Sequence, residues 1–271
     1  MDEMIIRKAC PGDIKAIAEI SRLTWEGDDY LEGKAPGWIS DGTLHVGEYR
    51  GSVLGTFRMS PMPCGVIWLE ALRVHPDHRG AGMGRRLAGE AFDIGREMIR
   101  RGPFRCMEFS TYINNHESIH ISVSQGFRPV NRFILMTRDG IGSCGEALAA
   151  EPSGTDFTEA VGHIPCGWKY PRLSGEGIEW ALRKCDAFRY REVVFLRRKS
   201  SDETTPISGS RSDPGGFLEG AEAAASARGE KHCCIVVHES RGDIVDEARR
   251  RGYGTWEPVE GYNILVYRYE P

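Results

Sequence analysis

A strand, a glycine-rich turn and a long helix follow one another in residues 66–102, and no other stretch constrains the fold as strongly. The apolar and β-branched residues of 66–74 predict a buried strand. A proline closes that strand, and Gly80, Gly82 and Gly84 then lead into an amphipathic helix. A turn without side chains lets a ligand reach the backbone N–H groups at the start of the helix. Such a turn favours an anion, most often a phosphate group.

Two familiar phosphate-binding loops do not fit this turn. It contains no Gly-Lys-Ser or Gly-Lys-Thr, which a loop for magnesium-bound nucleotides needs. Its glycines alternate, whereas the dinucleotide-binding loop spaces them as GxGxxG. The pattern that remains is R-G-x-G-x-G after a strand that ends V-x-P, and Arg79 adds charged donors for an anion.

Composition limits the class of protein. The 271 residues are enough for one large domain or two ordinary ones with a sizeable core. The formal net charge is -4 and acidic and basic residues are interleaved, so we expect no nucleic-acid partner. No apolar run approaches the length of a membrane span, and the first residues do not have the form of a signal peptide. We therefore expect no membrane partner.

The eight cysteines predict reduced thiols rather than a disulfide framework or a zinc site. They form no CxxC pair, and only Cys233 and Cys234 are close in the sequence. This usage is typical of a cytoplasmic protein with mostly buried thiols, and we expect no metal.

The first 138 residues predict an α+β unit. Hydrophobic periodicity indicates the order β-α-β-β-β-α-β-α-β, which implies a mixed, mostly antiparallel sheet flanked by helices. We expect Asp13 to cap the first helix and residues 25–31 to form a loop. A helix that begins at Asn114 is expected to end at Gly126.

The rest of the chain predicts a second, smaller α/β domain. A linker rich in Gly, Ala and Ser (139–155) precedes 156–271, which we interpret as a degenerate copy of the first fold. The copy lacks the glycine turn and should not bind a diphosphate in that way. The predicted elements are a strand at Phe188–Arg197, a polar loop at Ser200–Gly216, a helix at Gly220–Ala227, a strand at Cys233–His238, a helix at Asp243–Arg251 and a strand at Ile264–Tyr269. This domain can cover the active site, form a homodimer or complete a core.

The glycine turn resembles a motif of the GNAT superfamily of N-acetyltransferases. That motif, Q/R-x-x-G-x-G/A, binds the diphosphate of acetyl-CoA, and Arg79, Gly82 and Gly84 fill it here. The resemblance implies a GNAT-type catalytic domain in 1–138 and acetyl-CoA as the acyl donor. It also implies cofactor contacts from the end of the strand, the turn and a later helix, at Leu72, Arg73, Val74, Arg79, Gly80, Ala81, Gly82, Met83, Gly84, Arg85, Asn115, Ser118 and Ser122.

Glu70 interrupts the apolar strand of 66–74. Burying a carboxylate without a partner is costly, and burial raises its pKa towards neutral pH. Many GNAT enzymes use a glutamate on this strand as general base, directly or through a water, so the resemblance implies that role for Glu70. The alternative is that Glu70 pairs with Arg73 or another arginine, or reaches solvent at a sheet edge.

The usual general acid is missing. The second family motif, N-x-x-A-x-x-L-Y, places Asn115 on the Asn and Ser122 on the Tyr that often protonates the departing thiolate. Serine is a poor acid, although it can orient a water or hold the thiol. Tyr112, His116, His120 and solvent are the alternatives, and none of them is assigned.

Aromatic and acidic residues indicate where an acceptor amine could bind. Trp25, Asp29 and Tyr30 lie where GNAT proteins place the segment that covers the acceptor pocket, and an aromatic wall with a carboxylate suits a cationic amine. Ser110 and Tyr112, on the strand after the long helix, can face the acceptor as well. The alternative for the first group is an ordinary packed loop with solvated acids.

A finer resemblance is to the histidine N-acetyltransferase-like branch, on W-x-x-x-D-Y-L, the strand before the glycine turn, and Gly177–Trp180. It implies a free α-amino acid as acceptor. We therefore expect a cytoplasmic, acetyl-CoA-dependent N-acetyltransferase that acts on a small primary amine by direct attack in a ternary complex. Two alternatives stay open: a non-catalytic acyl-CoA sensor, and an enzyme that acetylates protein N-termini or lysines.

Overall fold

The structure is a computed structural model that describes residues 4–27, 29–80, 82–142, 145–259 and 261–271. The chain divides into two compact units. Unit 1 comprises the described parts of 1–109, 116–128 and 268–271, and unit 2 comprises those of 110–115 and 129–267. The end of the chain therefore belongs to the same unit as its beginning.

The helices and strands of unit 1 follow the predicted order with one addition. They are β1 (Ile5–Lys8), α1 (Ile14–Arg22), α2 (Leu31–Ser40), β2 (Leu44–Tyr49), β3 (Ser52–Met62), β4 (Val66–Val74), α3 (Met83–Arg101), β5 (Cys106–Tyr112, which continues into unit 2) and α4 (His116–Ser124). Strands β1 to β4 pair antiparallel in that order, and β5 pairs with β4 in parallel. This mixed, mostly antiparallel sheet with its helices confirms the predicted fold class.

Helix α2 is the addition, because no helix was expected between the predicted loop at 25–31 and β2. The helix contains Pro36 and two glycines, which disfavour a helix interior. Its residues Leu31 and Ala35 are nevertheless buried in one hydrophobic cluster with Ile17 of α1. Tertiary packing therefore stabilises a helix that local propensity does not favour.

Asp13 was predicted to cap α1, but its side chain makes no capping hydrogen bond to that helix. Its carboxylate pairs with Arg7 at 2.7 Å and accepts a hydrogen bond from the backbone N–H of Cys10 at 2.7 Å. The hydrogen bond from Arg7 is the main reason that the pKa of Asp13 falls to about 2. The residue thus ties β1 to the start of α1 instead of satisfying the first N–H groups of the helix.

A β-bulge interrupts the pairing of β3 with β4 close to the end of β4. Glu70 lies opposite Arg58 and Arg73 lies opposite Thr56, so two residues of β4 face one residue of β3. Ala71 adopts a left-handed conformation at φ 56°, and the Thr56 hydroxyl donates to its carbonyl at 2.9 Å. A bulge at this place changes the direction of the side chains on either side of it.

Unit 2 repeats the connections of unit 1. Its elements are β6 (Arg128–Asp139, in unit 2 from Pro129), β7 (Leu148–Ala149), α5 (Gly175–Lys184), β8 (Cys185–Tyr190), β9 (Val193–Arg198), β10 (Glu203–Ser208), α6 (Pro214–Ser226), β11 (His232–His238), α7 (Gly242–Arg250) and β12 (Ile264–Tyr269, in unit 2 to Tyr267). Strands β8, β9 and β10 pair antiparallel, α6 leads to β11, and β11 pairs with β10 in parallel. The same connections link β2, β3 and β4 through α3 to β5.

The likeness extends to a bulge and to a short parallel pairing. The register of β10 against β9 shifts between Pro206 and Ser208, as that of β4 shifts against β3. The parallel pairing of β10 with β11 covers Glu203 and Thr204, and that of β4 with β5 covers 66–68. These common features support the hypothesis of a degenerate second copy, while the predicted borders at 138 and 155 stay a prediction.

Three predictions for unit 2 need correction. The polar stretch Ser200–Gly216 is not one loop, since it contains β10, where threonines fit a buried pleated surface. Phe188–Arg197 is not one strand but the hairpin β8–β9, which turns at Arg191 with φ 54°. Helix α6 begins at Pro214 rather than Gly220, because Asp213 caps it by accepting a hydrogen bond from the Gly216 N–H at 2.7 Å.

Glu203, the first residue of β10, is a carboxylate whose charged form is disfavoured. Its Oε2 is buried and has no hydrogen-bond partner among the described residues. Burial raises the pKa of Glu203 from 4.5 to about 6. Between these two values the folded state holds a proton that the unfolded state has released, so stability falls as the pH rises through this window.

We expect Glu203→Gln to raise the free energy of unfolding at pH 7 by up to about 2 kcal/mol, because it removes that penalty. The variant should also lose the decline in stability between pH 4.5 and 6. Urea denaturation at several pH values measures both effects. Glu192→Gln, at an exposed position of the same unit, serves as the control. A Glu203→Gln variant with the pH dependence of the native protein would contradict the argument.

No helix in the described part of the chain is long and apolar enough to cross a membrane. Within the same residues, no group of three or more His, Cys, Asp and Glu side chains could hold a metal ion. The described cysteines are free thiols, and those of Cys166 and Cys185 lie 3.6 Å apart in a buried cluster. Cys144 lies outside the described residues.

Candidate functional site

The glycine turn between β4 and α3 exposes backbone at the start of a long helix. Gly80 and Gly82 adopt left-handed conformations, with φ of 78° and 79°, and both are exposed. Gly82 is the N-cap of α3, and this position supplies no side-chain hydrogen bond to the helix. Its first N–H groups can therefore bind an anion, helped by the positive end of the helix dipole. Ala81, which was also predicted to contact the cofactor, lies outside the described residues.

Basic side chains flank the turn. Arg79 and Arg85 are exposed, and the Arg79 Nε donates to the last carbonyl of β4 at 3.2 Å. The first turn of α3 contains no acidic residue. The Met83 side chain is buried, so only its backbone can reach a ligand. This donor set fits a diphosphate such as that of acetyl-CoA.

The end of β4 presents backbone on one edge. Residues Leu72, Arg73 and Val74 follow the bulge, and β3 pairs with them on one side as far as Val74. On the other side the parallel pairing with β5 covers 66–68. Among the described residues, β5 does not pair with 72–74, so this edge remains available for an extended ligand. The resemblance to the GNAT superfamily implies that the arm of acetyl-CoA between the diphosphate and the thioester binds at this edge.

Glu70 is held by two donors. Its Oε1 accepts hydrogen bonds from Arg58 Nη1 at 2.7 Å and from Ser60 Oγ at 3.1 Å. The side chains of Glu70 and Arg58 are only 12% and 10% exposed. Arg58 also pairs with Asp41 at 3.0 Å and stacks over the Trp38 ring, 4.4 Å from its centroid. The carboxylate of Glu70 is therefore compensated and oriented by an arginine of the neighbouring strand.

Arg73 brings together three residues that were predicted to contact the acceptor. Asp29 accepts hydrogen bonds from Arg73 Nε and Nη2 at 3.0 and 3.1 Å, and its side chain is fully buried. The guanidinium lies 4.2 Å from the centroid of the Trp25 ring and 5.5 Å from that of Tyr30. Asp29 is thus neutralised inside the protein by Arg73. This pair fixes the segment that carries the two aromatic rings, and the role of Asp29 towards an acceptor stays a prediction.

The predicted cofactor residues of the second motif are split between the units. Asn115 belongs to unit 2, whereas Ser118 and Ser122 belong to α4 in unit 1. Ser122 is buried, and its carbonyl accepts the hydrogen bonds that close the helix. Gly126 ends this helix in a left-handed conformation at φ 90°, as predicted. The roles of these three side chains towards the cofactor stay predictions.

Ser110 and Tyr112 occupy the part of β5 that belongs to unit 2. The Ser110 hydroxyl donates to the carbonyl of Trp168 at 2.8 Å. Tyr112 packs against Trp256, and burial raises the pKa of its hydroxyl. The raised pKa makes this hydroxyl a weaker acid than that of an ordinary tyrosine.

One buried charged pair of unit 1 was not predicted from the sequence. Glu108 of β5 is 1% exposed and pairs with Arg268 at 2.6 Å. Like Glu70, Glu108 is a carboxylate inside an apolar strand, and this pattern indicates a buried charge that needs a partner. Its partner lies 160 positions away in the sequence, and periodicity cannot reveal such a pairing.

The matching turn of unit 2, between β10 and α6, is filled by carboxylates of the chain itself. Glu159 accepts a hydrogen bond from the backbone N–H of Arg211 at 2.9 Å and another from the Ser210 hydroxyl. Arg241 neutralises Glu159 at 2.8 Å. Asp213 occupies the N-terminus of α6. A diphosphate would meet two carboxylates here, and their charge disfavours its binding at this turn.

One family model matches part of the chain. Residues 14–127 match the model of the Acetyltransferase (GNAT) family. Among curated proteins, none matches this chain in sequence.

Similar solved structures extend over the whole chain. A GCN5-related N-acetyltransferase from Sphaerobacter thermophilus is 15% identical with a TM-score of 0.69, and the match covers 100% of this chain and 96% of that one. A candidate acetyltransferase from Thermoplasma acidophilum is 18% identical with a TM-score of 0.68, over 98% of this chain and 100% of that one. At these identities the likeness establishes the fold.

Proposed function

We propose that this chain, whose residues 14–127 match the model of the GNAT acetyltransferase family, transfers an acetyl group from acetyl-CoA to the primary amine of a small molecule. The turn from Arg79 to Gly84 carries the proposal, because it combines exposed left-handed glycines with the uncapped start of α3. The resemblance to the histidine N-acetyltransferase-like branch favours a free α-amino acid as the acceptor.

Each step of the transfer has residues suited to it. The turn and Arg79 bind the diphosphate, and the backbone of 72–74 binds the arm that leads to the thioester. Acetyl-CoA supplies the activated carbonyl. Glu70 takes a proton from the amine, directly or through a water, and the amine nitrogen attacks the carbonyl carbon. The C–S bond breaks, and CoA leaves as a thiolate, with solvent as its proton source. Cys106 is fully buried, which favours direct attack over an acyl-enzyme.

Release of the CoA thiol tests this function. The native protein is incubated with acetyl-CoA and a panel of small primary amines that includes α-amino acids and diamines. We expect thiol release only when an amine is present. Calorimetric binding of acetyl-CoA without thiol release on any amine would instead support an acyl-CoA sensor. Acetylation of peptides but not of small amines would support a protein acetyltransferase.

We expect Glu70→Gln to lower kcat by about 10²- to 10⁴-fold, the usual contribution of a general base. Glutamine keeps an oxygen for Arg58 and Ser60, so acetyl-CoA affinity and fold should change little. Glu48→Gln is a matched control, because Glu48 is also a strand carboxylate paired with an arginine, Arg7. Unchanged turnover of Glu70→Gln at neutral pH would remove Glu70 from the mechanism.

A further inference from the structure

Two cysteines of unit 2 place their thiols in contact. The sulfur atoms of Cys166 and Cys185 lie 3.6 Å apart, although the residues are 19 positions apart in the sequence. Both residues belong to one hydrophobic cluster, and they are 2% and 4% exposed. A disulfide is about 2.05 Å long, so the two sulfurs need to approach by about 1.5 Å to form one.

The backbone around the two thiols is regular on one side and a surface turn on the other. Cys185 directly follows helix α5 and is the first residue of β8. The Cys166 N–H donates to the carbonyl of Lys169 at 3.0 Å, in a turn where Gly167 has φ 69° and Trp168 is 36% exposed. Local opening of a surface turn costs less free energy than unfolding of the whole unit. A small reagent can therefore reach the thiols while the protein stays folded.

An arginine lies beside the pair. Arg198, the last residue of β9, is directly opposite Cys185 in the pairing of β8 with β9. Its Nη1 is buried and has no hydrogen-bond partner among the described residues. The positive charge of Arg198 favours the thiolate form of both Cys166 and Cys185. Cysteines that react as nucleophiles are typically found beside such a cation.

The two thiols differ in their affinity for a proton. The hydrogen bond with Cys166 is the main cause that lowers the pKa of the Cys185 thiol, against the opposing effects of burial and of the charges of Asp186 and Glu203. Burial is the main cause that raises the pKa of the Cys166 thiol. Cys185 is thus the thiol that loses its proton first, while Cys166 keeps its proton and donates it to the neighbouring sulfur.

We propose that Cys166 and Cys185 form a modification site at which a hydroperoxide oxidises the two thiols to a disulfide. The Cys185 thiolate attacks an oxygen of the hydroperoxide, the O–O bond breaks, and Cys185 becomes a sulfenic acid. The alkoxide or hydroxide that leaves takes up the proton that Cys185 released. The Cys166 sulfur then attacks the Cys185 sulfur, and the hydroxyl group leaves as water with the proton of Cys166. Two thiols and one hydroperoxide give a disulfide, one alcohol or water, and one further water.

Peptide mapping of the folded protein tests this site. Reduced protein is treated with hydrogen peroxide in native buffer, the remaining thiols are alkylated in denaturant, and the digest is analysed by mass spectrometry. We expect two peptides joined through Cys166 and Cys185, two hydrogen atoms lighter than the reduced pair, and their separation by dithiothreitol. Cys233 is the internal control, because burial raises the pKa of its thiol to about 12 and it should stay reduced.

Serine variants test the order of the two steps. Cys166→Ser should leave Cys185 as a sulfenic acid that dimedone captures, because no second thiol remains to displace the hydroxyl group. Cys185→Ser should leave Cys166 reduced under the same conditions, because that thiol keeps its proton. Cys233→Ser removes a buried thiol from the same unit and should retain the disulfide.

The mapping of the native protein keeps the test decisive even where a serine variant does not fold. A disulfide that forms in urea but not in native buffer would overturn the site, because the thiols would then be reached only after unfolding. Joining of Cys166 or Cys185 to a different cysteine, or oxidation of Cys233 to the same extent, would overturn it as well. None of these outcomes depends on acetyl transfer, so the site and the proposed function stand or fall separately.

Discussion

Replacement of Gly82 by glutamate is expected to abolish acetyl-CoA binding. Gly82 is the N-cap of α3 with φ 79°, where glycine is favoured and where any side chain lies beside the first N–H groups of the helix. A carboxylate there binds these donors itself and repels a diphosphate. We expect the affinity to fall roughly 100-fold or more, which corresponds to about 3 kcal/mol. Calorimetric titration and the thermal protection given by acetyl-CoA measure the loss.

Gly51→Glu is the matched control. Gly51 has the same φ of 79° in the turn between β2 and β3, and a side chain built there meets no atom within 4 Å. Both substitutions carry the same backbone penalty of about 1–2 kcal/mol, so a difference in affinity reports the ligand alone. Arg79→Glu repeats the test without backbone strain. Native affinity in Gly82→Glu and Arg79→Glu would show that the diphosphate binds elsewhere, and the proposed function would lose its main support.

The part of the site that could be predicted from the sequence depends on neighbouring residues. The apolar run of β4, the proline after it and the alternating glycines are all local signals for strand, turn and helix. The order of the elements in unit 1 follows from the same periodicity. The family motif of the glycine turn can be recognised for the same reason, because its residues lie within a few positions of one another.

The missed features depend on residues that are far apart in the chain. The partner of Glu70 is Arg58, and their pairing follows from the register of β3 against β4, which changes at the bulge. No residue-type signal marks that bulge, because Ala71 is an ordinary strand residue that adopts a left-handed conformation. Arg73 reaches Asp29 across 44 positions. The roles of the side chains in this site therefore depend on how strands and distant segments align in the folded chain, and local sequence patterns do not reveal that alignment.

The same distinction explains the errors in secondary structure. Helix α2 and strand β10 both contradict their local composition, and both are stabilised by burial of a few residues. Thr204 is fully buried although the stretch around it is polar. A prediction from propensity fails at such places because packing energy exceeds the small differences in propensity.

Removal of Glu159 is expected to cause the largest loss of stability of any single change considered for unit 2. Arg241 is 2% exposed and donates from Nη1 to both Glu159 at 2.8 Å and Ser210 at 2.7 Å. Glu159→Ala leaves this guanidinium with Asp243 as its remaining carboxylate partner and leaves the N–H of Arg211 without its acceptor. Breaking a buried pair from one side costs about 3–5 kcal/mol, and we expect a loss at the lower end, about 3 kcal/mol, because Asp243 still pairs with Arg241. Urea denaturation measures the loss.

The loss can be traced to the buried charge by a double-mutant cycle. If the loss arises because the buried charge of Arg241 is no longer fully compensated, Glu159→Leu combined with Arg241→Met should lose less stability than the sum of the two single changes. The double variant leaves only Asp243 without its partner, and that side chain is 40% exposed. The double variant keeps the test decisive even where Glu159→Ala does not fold. Glu179→Ala removes an exposed partner of Arg183 and should change little. Additive losses would mean that Glu159 stabilises unit 2 independently of Arg241, through its other contacts such as the hydrogen bond from the Arg211 N–H.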